Sequence, residues 1–310
     1  MLSLGLTGGI AAGKSLLAAR FRELGAVLID ADQLAREVVA PGTAGLAAVV
    51  DHFGAEILLP DGSLNRAALG ARVFSDKTEL AALNAITHPL VRAAANALKA
   101  DAGPGTIVVQ DIPLLVESGQ GPNFHLVVVA QAPRELRLER MIRDRGMSRE
   151  DALARMAAQA TDEERTAVAD VVVVNDGTRD EAVAALDSLW HGRLLPFAEN
   201  LTAVRAHHSA SDGLLGTPRL DAEPASIART LARLQHAAGE QAVISALQPA
   251  GDGPTFSAVP LDGIMPELVL GALANAGFFP VVDASGGATM LASADPGQNT
   301  RIHLGILELS

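Results

Sequence analysis

Short, unbroken apolar runs punctuate the first 200 residues: "LSLGL", "AVLID", "TIVVQD", "LVVVA" and "DVVVVN". Each has the length of a strand, and stretches with helical spacing of apolar and polar positions separate them. Strands that are apolar on both faces belong to a parallel sheet covered by helices on either side. The pattern therefore predicts an α/β fold built on a five-stranded parallel sheet. Helix starts are marked by Ser148 with Asp151 and by Thr161 with Glu164, both at capping-box spacing.

Two inserts interrupt the alternation. Residues 32–105, carrying "LPDGSLNRAALGARVFSD" and "LNAITHPLVRAAANALKA", are too long for one crossover helix and predict a helical subdomain. Residues 133–165 fall within a 34-residue stretch holding eight arginines, the texture of a mobile basic lid. Beyond residue 200 the pattern changes. "HHSASDGLLGTPRLDAEP" is linker-like, and the last 110 residues hold no lysine and 8 of the chain's 16 prolines. The expected division is a domain over 1–200, a linker over 201–220 and a small C-terminal α/β domain over 221–310.

Composition narrows the function classes. A hydrophobic fraction of 49% with 19% charged residues describes a folded, soluble chain. No apolar run approaches the roughly 20 residues of a membrane span, and the apolar N-terminus lacks the basic flank of a signal peptide. There are no cysteines, which excludes disulfides and thiolate metal sites and suits the cytoplasm. A net charge of −12 with one Trp and no Tyr argues against nucleic acid as a partner. Small anionic substrates remain compatible with local arginines, and an oligomer is compatible with the composition.

Chemistry enters at "LTGGIAAGKS". Gly8, Gly13, Lys14 and Ser15 match G-x-x-x-x-G-K-[ST], between a predicted strand and a predicted helix. In such a loop the backbone N–H groups of Gly8, Gly9, Ile10, Ala11, Ala12, Gly13, Lys14, Ser15 and Leu16 are available to wrap phosphate oxygens, while the lysine reaches the β and γ phosphates. The chain otherwise prefers arginine, 21 to 3. A compact ammonium in this loop is what phosphates demand. The loop implies a nucleoside triphosphate without naming the reaction. "LIDADQLAREVV" places Asp30 and Asp32 at the end of the second strand, where the ligand crevice of an open α/β sheet lies. Asp32 fits either a reacting carboxylate or a helix N-cap, or both together.

"LTGGIAAGKS", "IDADQLAREVV", "HPLV", "QDIPLLVESG", "AAQA" and "VADVVVVNDG" occur in that order and at family spacing. Residues 1 to about 200 thereby resemble dephospho-CoA kinases. The resemblance implies a P-loop nucleotide-kinase fold that transfers the γ-phosphoryl group of ATP to the 3′-hydroxyl of dephospho-CoA. It implies Asp32 as base and Lys14 and Arg140 as catalytic cations; Arg143, one turn from Arg140 on the same helical face, and Asn175, following the fifth strand, are expected as further nucleotide contacts. It also implies Asp32, Arg36, His88, Leu114 and Glu117 as acceptor contacts; Ser15, as a P-loop hydroxyl, and Asp111, by its place at the end of the third strand, are expected to hold Mg²⁺. A helix-boundary role is the competing reading of His88.

Two features depart from the family pattern. The loop reads "GIAAGKSL" where "GIGSGKST" is usual, so methyl groups stand at positions 11 and 12. The second is the C-terminal segment, whose "LASADPGQNTRIHLGIL" resembles the end of the GrpB-like, nucleotidyltransferase-like extensions of some actinobacterial members. "ISALQPAGDGPTFSAVPLDGIM" lacks that domain's pair of metal-binding carboxylates, which predicts a structural or regulatory remnant. The alternatives are another nucleotide kinase, a GTPase, which the missing N-K-x-D sequence disfavours, and a noncatalytic ATP-binding regulator.

Overall fold

A computed structural model describes residues 1–207, 224–247, 253–281 and 289–305, together with the backbone of helix residues 74–75 and 224–226 among them. The first five strands fall on the five apolar runs: β1 (Leu2–Gly8) leads to α1 (Lys14–Glu23) and β2 (Val27–Asp30). Then come α2 (Ala31–Glu37), α3 (Ala44–Phe53), α4 (Arg66–Ser75) and α5 (Lys77–Asp101). The chain continues through β3 (Ile107–Asp111), β4 (Leu126–Gln131), α6 (Arg134–Arg145), α7 (Arg149–Ala157), α8 (Asp162–Ala167), β5 (Val171–Val174), α9 (Arg179–Leu189) and α10 (Leu195–Thr202). The sheet order is β2-β3-β1-β4-β5. β1 is central, buried along its whole length and parallel to both neighbours, with Leu6 level with Asp111 on one side and Val128 on the other. The carboxyl ends of the strands thus share one edge, where ligands of open α/β sheets bind.

By backbone contacts the chain forms two compact units, residues 29–103 and the remainder, 1–28 with 104–310. The 29–103 unit is helical, with its own core of Val39, Leu46, Val49, Phe53, Ile57, Leu69 and Val73. Its α5 runs for 25 residues straight through Pro89, so His88 is an exposed mid-helix residue and not a helix boundary. Two helix starts also refine the sequence reading. Thr161 makes a full capping box with Glu164, whereas Ser148 caps Asp151 N–H without the reciprocal bond from Asp151 to the cap's own N–H. At the second strand, Asp30 is the N-cap of α2, accepting from Gln33 N at 2.9 Å. The strand ends there, so Asp32 sits in the helix's first turn, exposed, and not at the end of the strand as expected; the cap role weighed for Asp32 falls to Asp30.

In the other unit, α11 (Pro224–Ala238), β6 (Ala242–Leu247), β7 (Thr255–Pro260), α12 (Pro266–Asn275), β8 (Phe278–Val281), β9 (Thr289–Ser293) and β10 (Arg301–Leu304) make a second sheet, ordered β6-β7-β10-β9-β8. β7 and β10 are parallel and the other pairs antiparallel. Leu234, Phe256, Val269, Leu273, Phe278, Leu291 and Ile302 fill its core. Phe279 and Ala294 belong instead to the core of the first sheet, beside Trp190 and Phe197. Arg229 reaches the Asp170 carboxylate at 3.0 Å, just before β5. The expected linker falls largely on 208–223, outside the described residues.

Candidate nucleotide-phosphate site

Between β1 and α1 the chain makes a turn that only certain side chains permit. Gly8 lies so close to β4 that a Cβ would stand 2.5 Å from Ala130 O, and Gly13 adopts φ 97° with Asn175 Nδ2 1.9 Å from where its Cβ would be. Gly13 directly precedes α1, so the first-turn N–H groups and the positive end of the helix dipole point into the turn. Ala12 N closes the turn onto Gly9 O at 3.0 Å. Ala11 holds φ 61°, a left-handed conformation that costs an L-residue about 1–2 kcal/mol.

Polar side chains converge on this turn from three directions. Lys14 forms an ion pair with Asp111 at the end of β3, both side chains largely buried. Arg140, on α6, donates to Ala11 O at 3.4 Å and to Asn175 O at 3.2 Å. Asn175, buried just after β5, donates from Nδ2 to Ala12 O at 3.0 Å. A surface cleft of about 390 Å³ opens alongside, lined by Ser15, Leu16, Ala19, Arg140, Asn175, Gly177 and Arg179. A larger cavity, about 470 Å³, lies elsewhere, lined by the Pro122–His125 segment and residues of α11 and α12. Cation density and helix geometry, not volume, single out this turn as the candidate site for phosphates.

Two arginines the sequence reading passed over complete the turn's surroundings. Arg137 Nη1 lies 2.0 Å from the position of a Cβ on Gly9. Asp162 bridges Arg137 (2.8 Å) and Arg165 (2.9 Å). Burial holds the Arg137 guanidinium below its ordinary pKa, and the Asp162 charge pulls the other way. One carboxylate between two buried guanidinium groups leaves net positive charge against Gly9. The available signal was helical spacing: Arg137 is one turn before Arg140, on the buried side of α6. Arg143, one turn after, is exposed and engaged with Asp144 and Glu139, away from the loop. Glu117 accepts from Ala160 N at 2.8 Å, and Leu114 is exposed on the segment after β3. Arg36 lies exposed on α2 of the helical unit, as does Asp32.

Among the described residues, no three His, Asp or Glu side chains cluster as a protein-only metal site. The donors at hand are the exposed Ser15 hydroxyl and the Asp111 carboxylate. That set fits Mg²⁺, which keeps several waters and takes one or two protein oxygens together with substrate phosphates.

A parallel sheet in this order, with a GxxxxGK[ST] turn leading from its central strand into a helix, defines a P-loop fold of the nucleotide-kinase type. A family model described as dephospho-CoA kinase matches residues 2–181. The chain belongs to the dephospho-CoA kinase family. It is 48% identical over 243 residues to a dephospho-CoA kinase of Mycolicibacterium paratuberculosis, covering 78% of this chain and 59% of that protein. It is 54% identical over 190 residues to the one of Streptomyces avermitilis, covering 61% and 93%. The chain thus spans under two thirds of the length of its mycobacterial relatives. The crystal structure of TT1252 from Thermus thermophilus superposes with a TM-score of 0.54 at 33% identity, covering 61% of this chain and 96% of that one. Among the described residues no helix is long and apolar enough to cross a membrane.

Proposed function

We propose that this protein transfers the γ-phosphoryl group of ATP to the 3′-hydroxyl of dephospho-CoA, giving CoA and ADP in the cytoplasm. The observation that carries the reading is the Lys14–Asp111 ion pair at the mouth of a P-loop, in a chain of this family. Lys14 and Arg140 offset the charge that spreads over the phosphoryl oxygens as the bond to ADP breaks. Ser15 and Asp111 are the residues that would hold Mg²⁺. When bound there, Mg²⁺ would supply positive charge to offset that of the phosphates. Asn175 and Leu16 border the cleft of about 390 Å³ beside the loop, which we assign to the nucleoside.

The attacking hydroxyl must lose a proton, and the exposed carboxylate of Asp32 is the group we assign to accept it, an effect worth about 10²- to 10⁴-fold. Arg36, His88, Leu114 and Glu117 are assigned to the acceptor, whose phosphates and adenosine need cations and hydrogen-bonding groups. Excluding water while ATP waits for its acceptor falls to the arginine-rich segment over α6 to α8.

The test is ADP formation by purified protein with MgATP, with and without dephospho-CoA. ADP that appears only with the acceptor supports the reading. ATP hydrolysis at the same rate without it, or no ADP in either case, overturns it.

A further inference from the structure

The phosphate loop of this chain is bent without a glycine at position 11. Among the described residues only Ala11 and Val204 are non-glycine residues at positive φ, so some constraint must hold Ala11 there. Three side chains remote in sequence grip consecutive residues of the loop. Gln159 Oε1 accepts from Ile10 N at 2.8 Å, Arg140 Nη1 donates to Ala11 O at 3.4 Å, and Asn175 Nδ2 donates to Ala12 O at 3.0 Å. Ala12 N is held as well, on Gly9 O. Of the four peptide planes between residues 9 and 13, three are therefore pinned: Gly9–Ile10, Ala11–Ala12 and Ala12–Gly13. The Ile10–Ala11 plane between them has little freedom left, and φ of Ala11 follows from the planes on its two sides.

Two of these grips have evident second duties. Arg140 carries charge toward the phosphates, and Asn175 also closes β5 onto β4 through its N–H. Gln159 is different: it is neutral, it lies between α7 and α8, and its neighbour Ala160 is tied to Glu117. We propose that Gln159 is a positioning residue of the nucleotide site, bracing Ala11 in a conformation that glycine would adopt unaided. This rests on the reading of the loop as an ATP site.

A double-mutant cycle with Gln159→Met, which keeps the volume and removes the acceptor, and Ala11→Gly tests it in the full-length chain. Without the brace Ala11 relaxes and the loop loses its binding shape, whereas a glycine loop keeps it. Gln159→Met is expected to weaken MgATP binding about tenfold in the wild type and by threefold or less in Ala11→Gly, measured by calorimetry. Thermal unfolding without nucleotide is expected to show the opposite ordering. Gln159→Met costs fewer degrees in the wild type, where release of the loop relieves Ala11, than in Ala11→Gly. Equal loss of affinity in both backgrounds, or none in the wild type, overturns the proposal. A wild type that binds no MgATP overturns the ATP-site reading instead, and the ordering of the thermal costs then decides the brace by itself.

Discussion

Arg193 and Asp295, 102 positions apart, face each other through two buried hydrogen bonds of 2.9 and 2.8 Å. Burial alone would raise the Asp295 carboxyl, but the Arg193 charge and hydrogen bonds outweigh it, so the group is held below the usual carboxylate range. Removing one partner of such a pair strands the other charge. Asp295→Ala is expected to cost about 3–5 kcal/mol in urea unfolding, and replacing both residues with apolar ones should cost less. Because the folded pKa is depressed, the pair's contribution is complete above the unfolded value near 4 and is lost as pH falls below it.

A second pH dependence lies at His125. Its Nδ1 accepts from Ser3 N at 3.0 Å and its Nε2 donates to Asn275 O at 2.9 Å, which fixes the neutral tautomer. Burial, with the nearby Arg233 charge, lowers its pKa to about 4. The unfolded chain takes up this proton near pH 6.5, so stability is complete above that value and declines as pH falls from 6.5 towards 4. The half-buried ring limits the loss to about 1–2 kcal/mol. His125→Gln should flatten the unfolding midpoint over that interval, at the price of a lower plateau.

The two aspartates around the end of β2 should separate function from folding. Asp32→Asn is expected to lower kcat by about 10²-fold or more while shifting stability by no more than about 0.5 kcal/mol, as befits an exposed side chain. Asp30→Ala removes an N-cap and should cost about 1 kcal/mol. Steady-state kinetics beside thermal unfolding distinguishes them.

Arg137 combines the two effects. Arg137→Ala removes the guanidinium packed on Gly9 and leaves Asp162 to Arg165 alone. MgATP affinity should fall about tenfold, with a drop in melting temperature that Asp32→Asn does not share. Wild-type affinity in that variant would remove Arg137 from the phosphate site.

How much of this could be read beforehand follows from sequence distance. The five strands of the first sheet were legible because burial along β1, β3 and β4, and Val, Ile and Leu on the half-buried edges β2 and β5, leave runs with few polar residues. Gly8 to Ser15 was legible because a loop contacting phosphates through its own backbone needs its residues in one stretch. The contacts of Arg137, Arg165 and Gln159 with that loop were not: spacing from Arg140 marks the first and the run "AAQA" contains the last, but neither mark says that the side chain meets a loop more than a hundred residues away. Asp32 was weighed as a cap where Asp30 is the cap, a two-residue difference in where strand yields to helix, and patterns of period two and 3.6 overlap there. The five strands beyond residue 240 were hidden as individual elements because short runs such as "RIHL", alternating exposed and buried over only four positions, are too brief to set a period.

An alanine at the apex of the phosphate loop makes the loop poorly portable. Residues 8–15 grafted into another scaffold would bring the amides that face a ligand, but not the glutamine, arginine and asparagine that shape the bend. Replacing the eight-residue stretch here with a glycine-bearing version from a relative should succeed far more readily than the reciprocal exchange. Tolerance to loop exchange would thus run in one direction.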